Sequence, residues 1–337
     1  MRFFLLFTSL HKPTKYHLGK AAYVIGFIEG LKKEGVPVQK LINKSSLRYF
    51  SLEDPEKMIP VPVIYEFFEL VQKNQGIDDM GAKFYKLFSL ETIGAYGDLI
   101  ATSKKILPAI LNALKYEKLN LTHDNCEFKI LDGKTVFYGN RYGTAPCAGQ
   151  DFLNAVDIAI NLEVAKNAND EGWCPLEIHL RDDNTSVIEQ LFPKCQPKIL
   201  VNQEKYGFVF EMEMLSNSIL SERKLESLKT NLVSPPITLT GKIEHLFDTL
   251  SNKTLPGFNE VAAMLDTSVS SLKRDLGKED VTFSQLLIRW RFTKAIELLT
   301  KSDYKINEIG ERLFYSNTAN FVRAFKGWSG LNPTDFR

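Results

Sequence analysis

Two stretches near the end of the chain carry one pattern of apolar and polar positions. Phe258-Asn259-Glu260-Val261-Ala262 through Leu265, followed by Asp266-Thr267-Ser268, lines up with Ile306-Asn307-Glu308-Ile309-Gly310 through Leu313, followed by Phe314-Tyr315-Ser316. After the serine the second copy gains one residue, so Leu272, Arg274 and Leu276 correspond to Phe321, Arg323 and Phe325. The apolar spacing in each copy predicts helix, short turn, helix. Between them, Thr282 to Thr300 keeps helical spacing with no internal Gly or Pro. That predicts a linker helix of roughly 28 Å at about 1.5 Å per residue.

Upstream the pattern is different. Apolar positions at helical spacing predict helices over His17–Lys33, ending at Glu34-Gly35, and over Pro60–Lys73, Gly81–Phe88 and Ser103–Tyr116, with Pro108 confined to a first turn. Cys126–Leu131 and Lys134–Tyr138 flank Asp132-Gly133, a two-residue hairpin signal. Asp151–Lys166 is apolar on nearly every side and predicts a covered helix. Leu176–Leu180 alternates as a strand that leaves His179 on its polar side, and Tyr206 to Met214 alternates as a strand with one buried face. Helices first and antiparallel strands later give an α+β domain over residues 1–215, ahead of an all-α C-terminal domain. Ser221–Leu232 reads as a helix that either packs on the first domain or pairs with a second subunit, and Pro235-Pro236 marks a boundary. The division is therefore 1–215 as an α+β domain, 216–236 as a linker with a dimerisation helix as one reading, and 237–337 as a helical domain with helix-turn-helix motifs at 257–276 and 305–326.

Two crossing helices need a small residue where their backbones approach, and Ala262 and Gly310 supply it. The second helix of each copy buries Val269, Leu272 and Leu276 or Phe321 and Phe325, and keeps a polar face. On the first copy that face holds Ser270, Ser271, Lys273 and Arg274; on the second it holds Thr318, Ala319, Asn320 and Arg323, with Asn317 placed to cap the helix and touch phosphate. Most of these are donors and acceptors of the kind that reads base edges in a major groove. The linker helix could set the two reading helices about one DNA turn apart, roughly 34 Å.

With these residues in place, the C-terminal region resembles the DNA-binding domain of the AraC/XylS family of transcription regulators. The matching text is Glu260-Val261-Ala262-Ala263, Ser268 followed by Leu272-Lys273-Arg274, and Ile309-Gly310-Glu311-Arg312-Leu313. The closing signature Phe321-Val322-Arg323-Ala324-Phe325-Lys326-Gly327-Trp328-Ser329-Gly330, with Pro333 and Phe336-Arg337, completes it. The resemblance implies a unit whose two helix-turn-helices read adjacent major-groove segments. Two departures stand out: Asp266 and Phe314 occupy the turns where the family usually has glycine, and Gly257 stands where a Ser cap is usual. In a left-handed conformation Phe would be strained by about 1 to 2 kcal/mol, and Asp by less. Residues 1–215 resemble the effector domain of one branch of the family through Gly94-Ala95-Tyr96-Gly97-Asp98-Leu99, Ala109-Ile110 through Lys115-Tyr116 and Gly172-Trp173-Cys174-Pro175-Leu176-Glu177-Ile178-His179-Leu180.

Composition adds exclusions. The 337 residues are 44% hydrophobic and 25% charged with a net charge of +1, an ordinary globular mixture in which any DNA-binding charge must come from local placement. No run is long enough to span a bilayer. The apolar start Met1–Leu10 runs into His11-Lys12-Pro13 instead of a cleavage site, and is read as a buried first strand or a loosely ordered start. Cys126, Cys147, Cys174 and Cys195 show no close pairing and are read as reduced thiols of a cytoplasmic protein. The five histidines are scattered, and Gly139–Thr144 lacks the ending of a phosphate loop and reads as a turn. An alkyl-transfer repair enzyme with an AraC-like module would need an activated thiolate, yet Pro146-Cys147 is followed by Ala148-Gly149 and not by His and a basic residue. An architectural protein that bends DNA without regulation leaves the long N-terminal domain without a purpose.

The expectation is a cytoplasmic, sequence-specific transcription regulator, not an enzyme, that activates in response to an unidentified small-molecule effector. It needs no cofactor, metal or membrane, and its partners are promoter DNA, RNA polymerase and, on one reading, a second copy of itself.

Overall fold

The structure, a computed structural model, describes residues 5–8, 15–122, 124–131, 134–141, 147–169, 172–219, 234–251 and 254–337. The expected helix at Ser221–Leu232 and the hairpin turn Asp132-Gly133 lie outside the described residues. The chain divides into two compact units, one of Met1–Leu47 and Leu52–Pro235, the other of Arg48–Ser51 and Pro236–Arg337.

The first unit is α+β, as its pattern predicts. In chain order it contains β1 (Leu5–Thr8), β2 (Leu18–Lys20), α1 (Ala22–Lys33), α2 (Val38–Lys44), β3 (Met58–Pro60), α3 (Val61–Gln75), α4 (Met80–Phe84), α5 (Ala95–Ala101) and α6 (Ile106–Tyr116). There follow β4 (Asp124–Leu131), β5 (Lys134–Arg141), α7 (Ala148–Asn167), β6 (Glu177–His179), α8 (Ser186–Leu191), β7 (Lys198–Leu200) and β8 (Tyr206–Glu211). Six strands form one sheet in the order β1-β4-β5-β8-β6-β7, antiparallel except for the parallel pair β6 and β7. β2 and β3 form a separate antiparallel ribbon.

Long-range pairing changes several expectations. The stretch read as the start of a helix at His17 is strand β2, because Leu18–Lys20 pairs with Met58–Pro60 before α1 begins. β8 lies between β5 and β6 in the sheet, Tyr206 through Phe210 are all buried where alternation predicts one buried face, and the strand ends at Glu211 in a short 3-10 turn. His179 follows from this position: it is buried, and its Nε2 lies 3.3 Å from Glu177 Oε2. Gly139, Asn140 and Arg141, read as a turn, extend β5. Two glycines in the Gly94–Leu99 phrase are dictated by backbone: Gly94 starts α5 with φ +68°, and a Cβ on Gly97 would overlap the carbonyl oxygen of Leu90. Glu56 secures the same helix start by accepting a hydrogen bond from Ala95 N at 2.8 Å.

Cys174 and Cys195 are disulfide-bonded with Cα atoms 6.2 Å apart, which corrects the reading of four reduced thiols; Cys126 and Cys147 are free. The cause is the parallel register. Glu177 pairs with Lys198, and each cysteine precedes its strand by the same distance, so the crossover through α8 returns them side by side.

The core has two parts. One is aromatic, with Phe27 edge-on to Phe67, Phe68 and Phe84 and tilted against Phe152 at centroid distances of 5.0 to 6.3 Å. The other joins α6 and α7 to the sheet through Ile110, Phe128, Leu162, Ile178 and Phe210.

The second unit is helical: α9 (Leu239–Thr249), α10 (Phe258–Met264), α11 (Val269–Gly277), α12 (Phe283–Lys301), α13 (Ile306–Arg312), α14 (Thr318–Ser329) and α15 (Pro333–Phe336). Glu279 caps α9 from outside, its carboxylate accepting from Leu239 N and Thr240 N at 2.9 Å each. α12 starts in a capping box of Thr282 and Gln285. Its aromatic side chains serve both halves of the unit: Phe283 packs on Phe247 and Phe258, while Phe292 packs on Phe325 and Trp328.

Candidate nucleic-acid interface

α10 with α11, and α13 with α14, form two helix-turn-helices built to one plan. The first helix of each ends in a double hydrogen bond around a left-handed residue: Asp266 N donates to Ala263 O and Thr267 N to Ala262 O, each at 3.0 Å. In the second copy Phe314 N donates to Glu311 O and Tyr315 N to Gly310 O, each at 2.9 Å. Asp266 has φ +49° and Phe314 φ +59°. Both turn residues thus adopt the conformation glycine favours, and Phe314 carries the larger penalty, about 1 to 2 kcal/mol.

An arginine on α12 supports the costlier turn. Arg291 Nε donates to Leu313 O at 3.0 Å and its Nη2 to Phe314 O at 3.2 Å, while its guanidinium lies 4.5 Å from the Tyr315 ring centroid. Those carbonyls end a helix and have no intrahelical donor. Nothing in the local spacing marks Arg291, because its partners are more than twenty residues away. The small residues stand where expected: Ala262 and Gly310 are buried, and a Cβ on Gly310 would come within 3.3 Å of the Phe321 Cβ.

Side-chain caps start the two outer helices in the same way. Ser268 Oγ accepts from Ser271 N at 3.1 Å, and Asn317 Oδ1 accepts from Asn320 N at 2.9 Å. Leu272 and Leu276 anchor α11, and Phe321 and Phe325 anchor α14, all buried. Val269 is 40% exposed and belongs to the outer face, not the core, because it sits at the first helical position where α10 does not cover it. On that outer face of α11, Ser270, Lys273 and Arg274 are exposed and Ser271 is half-buried. On α14, Ala319 and Arg323 are exposed, Thr318 and Asn320 half-buried, and Asn317 exposed at the cap. Arg323 donates to Asn320 Oδ1, and Asn320 to Ser316 Oγ at 3.2 Å, which aligns three polar groups along one helix face. Arg274 is held only loosely, 3.8 Å from Asp275.

A sequence model described as a helix-turn-helix domain matches residues 261–337. Another, described as the arabinose-binding domain of AraC transcription regulator, N-terminal, matches residues 35–218, more than half of the chain. The chain belongs to the AraC family of transcription regulators. Among its relatives, the urease operon transcriptional activator of Escherichia coli is 37% identical over 160 residues, covering 46% of this chain and 51% of that protein. The regulator VqsM of Pseudomonas aeruginosa is 32% identical over 99 residues, 29% of this chain and 30% of that one. The crystal structure of the P. aeruginosa transcriptional regulator CdpR covers 80% of this chain and 90% of its own at 17% identity with a TM-score of 0.38. The matches span about a quarter to a half of the length of these curated relatives.

Within this AraC-family chain, Cys147 and Cys174, the two cysteines beside a proline, do not have the chemistry of an activated thiolate. Burial pushes the Cys147 thiol up to about 11, with the Glu69 carboxylate adding to the effect, the reverse of thiolate activation. Cys174 is bonded to Cys195. Among the described residues no helix is long and apolar enough to cross a membrane, and no group of three or more His, Cys, Asp or Glu is placed to hold a metal ion.

Proposed function

We propose that the chain is an effector-responsive transcription activator working in the cytoplasm, which lays α11 and α14 in two successive major-groove segments of a promoter. The observation that carries the reading is the paired construction of the two motifs: each has a buried crossing residue, a left-handed turn, a side-chain cap and an exposed polar face ending in an arginine. Ser270, Ser271, Lys273 and Arg274 contact DNA from the first motif, and Thr318, Ala319, Asn320 and Arg323 from the second, with Asn317 on phosphate. A relative named as an activator of the urease operon supports activation, and hence contact with RNA polymerase.

The first unit receives the effector. Binding shifts the chain, or a pair of chains, between states that engage DNA unequally, which requires the effector to favour one state. The test is binding of the full chain to its own upstream DNA, titrated with salt and random competitor. Saturable binding that survives competitor supports the proposal; binding abolished by competitor at every salt concentration, with and without cell extract, contradicts it.

A further inference from the structure

The disulfide between Cys174 and Cys195 fastens one margin of the first unit's sheet. β7 is the last strand in the sheet order, and its register with β6 consists of Glu177 with Lys198, Ile178 with Ile199 and His179 with Leu200. That is a short ladder of the parallel kind, the less stable of the two. The cysteines stand just ahead of the two strands and close a ring around the crossover that carries α8. Within the ring α8 has anchors of its own, since Val187 and Ile188 are buried and Lys166 Nζ donates to Leu191 O at 3.2 Å. β7 has weaker ones: Lys198 is exposed, and Ile199 and Leu200 are only half-buried. The bond therefore secures β7 more than α8.

The bond is also within reach of solvent. Both cysteines are half-buried. A hollow of about 290 Å³ opens on Cys195, but not on Cys174, between the aromatic side chains Trp173 and Phe192 and the cations Lys166 and Lys194. Among the described residues no carboxylate lines it, so it suits a small anionic thiol. A chain that works on DNA meets a pool of such thiols, where a lasting disulfide is rare and one that forms is usually transient, catalytic or sensing.

We infer that the Cys174–Cys195 disulfide is a reversible clasp on β7, opened by thiol–disulfide exchange with a small anionic thiol of the glutathione class. A thiolate in the hollow attacks Cys195 Sγ; the protein S–S bond breaks, and Cys174 leaves as a thiolate that takes a proton from solvent. A second thiolate attacks the sulfur of the first, forming the small-molecule disulfide and releasing Cys195, which is protonated in turn. Two thiols are oxidised and one protein disulfide is reduced. The inference rests on the regulator reading for the thiol-rich surroundings, while exchange itself is measured without DNA.

The test equilibrates the full chain in buffers of stepped reduced-to-oxidised glutathione ratio and counts thiols by alkylation and mass spectrometry. Cys174 and Cys195 pass together from bonded to reduced within the range of ratios found in cells, and return on reoxidation. Limited proteolysis around β7 is at least about tenfold faster in the reduced chain, and equally fast in Cys174→Ser under either buffer, with circular dichroism confirming that the variant is folded. Oxidised glutathione modifies Cys195 in Cys174→Ser at least about threefold faster than it modifies Cys174 in Cys195→Ser. A bond that persists in the most reducing buffer, one that fails to form in the most oxidising, or equal proteolysis of the two forms would overturn the clasp; faster modification of Cys174 would overturn attack through the hollow. A chain that exchanges with glutathione but protects no promoter DNA refutes the regulator reading alone; one that protects DNA while its disulfide stays fixed in every buffer refutes the clasp alone.

Discussion

The two helix-turn-helices solve one steric problem with different means. The first turn uses Asp266, whose short polar side chain tolerates φ +49°, and among the described residues no arginine is bonded to its carbonyls. The second turn places Phe314 at φ +59° and recruits Arg291 from α12 to hold the two carbonyls at the end of α13. A local choice of residue suffices in one motif; in the other, stability depends on a contact made through the linker helix. The turn of the second motif is therefore the one braced from α12.

The largest effect that would expose this difference comes from Arg291→Ala. It removes two hydrogen bonds to helix-end carbonyls and the contact with Tyr315, and is expected to cost about 2 to 3 kcal/mol, read as a fall in the urea midpoint followed by tryptophan fluorescence. Among the described residues the first turn has no equivalent brace, so protection by α11 should outlast protection by α14 in this variant. An unchanged midpoint would remove the asymmetry.

The reading faces come next. Arg274→Ala and Arg323→Ala should each weaken binding to the specific site by about 1 to 3 kcal/mol while leaving random DNA less affected. Equal losses on both DNAs, seen by competition, would reduce the arginines to phosphate contacts. Smaller and symmetric effects follow from the caps: Ser268→Ala and Asn317→Ala should each destabilise by about 1 kcal/mol in denaturant titrations. A cap whose removal changes nothing would mean its helix is held by packing alone.

Turn conformation gives a smaller and opposite result. Phe314→Asn should stabilise by up to about 1 kcal/mol as the left-handed strain falls, less whatever the ring contributes beside Trp290, whereas Asp266→Asn should change the midpoint little. Thermal unfolding of the two variants together checks the difference.

The smallest effect is in pH. Burial alone would raise the Glu279 carboxyl, but the amides of Thr240 and Leu239 hold it below its usual value. With the folded pKa depressed, its contribution is present above the unfolded value of about 4.3 and is lost as pH falls through the lower folded value. Glu279→Gln should flatten that part of the acid unfolding curve; a curve identical to that of the parent would leave the cap without weight.

Much of the second unit was legible because its signals are local. Helical spacing, the small residues Ala262 and Gly310, the Asn317 cap and the turn residues Asp266 and Phe314 all lie within a few positions of the residues they act on. What was not legible depends on contacts remote in sequence. Arg291 bracing Phe314, Glu279 capping α9 and the cysteine pair set by the β6 and β7 register leave no mark in spacing. In the first unit, period-2 alternation identified β8 as a strand but not its central place, because that place is set by pairing with β5 and β6, which are remote in sequence. The polar faces of α11 and α14 were legible as surfaces.

The most direct test of two reading motifs is a DNase footprint of the full chain on its promoter site beside those of Arg274→Ala and Arg323→Ala. The account predicts protection of two successive major-groove segments in the parent, with each variant losing a different one. Both variants losing the same segment, or a single protected segment in the parent, would contradict it.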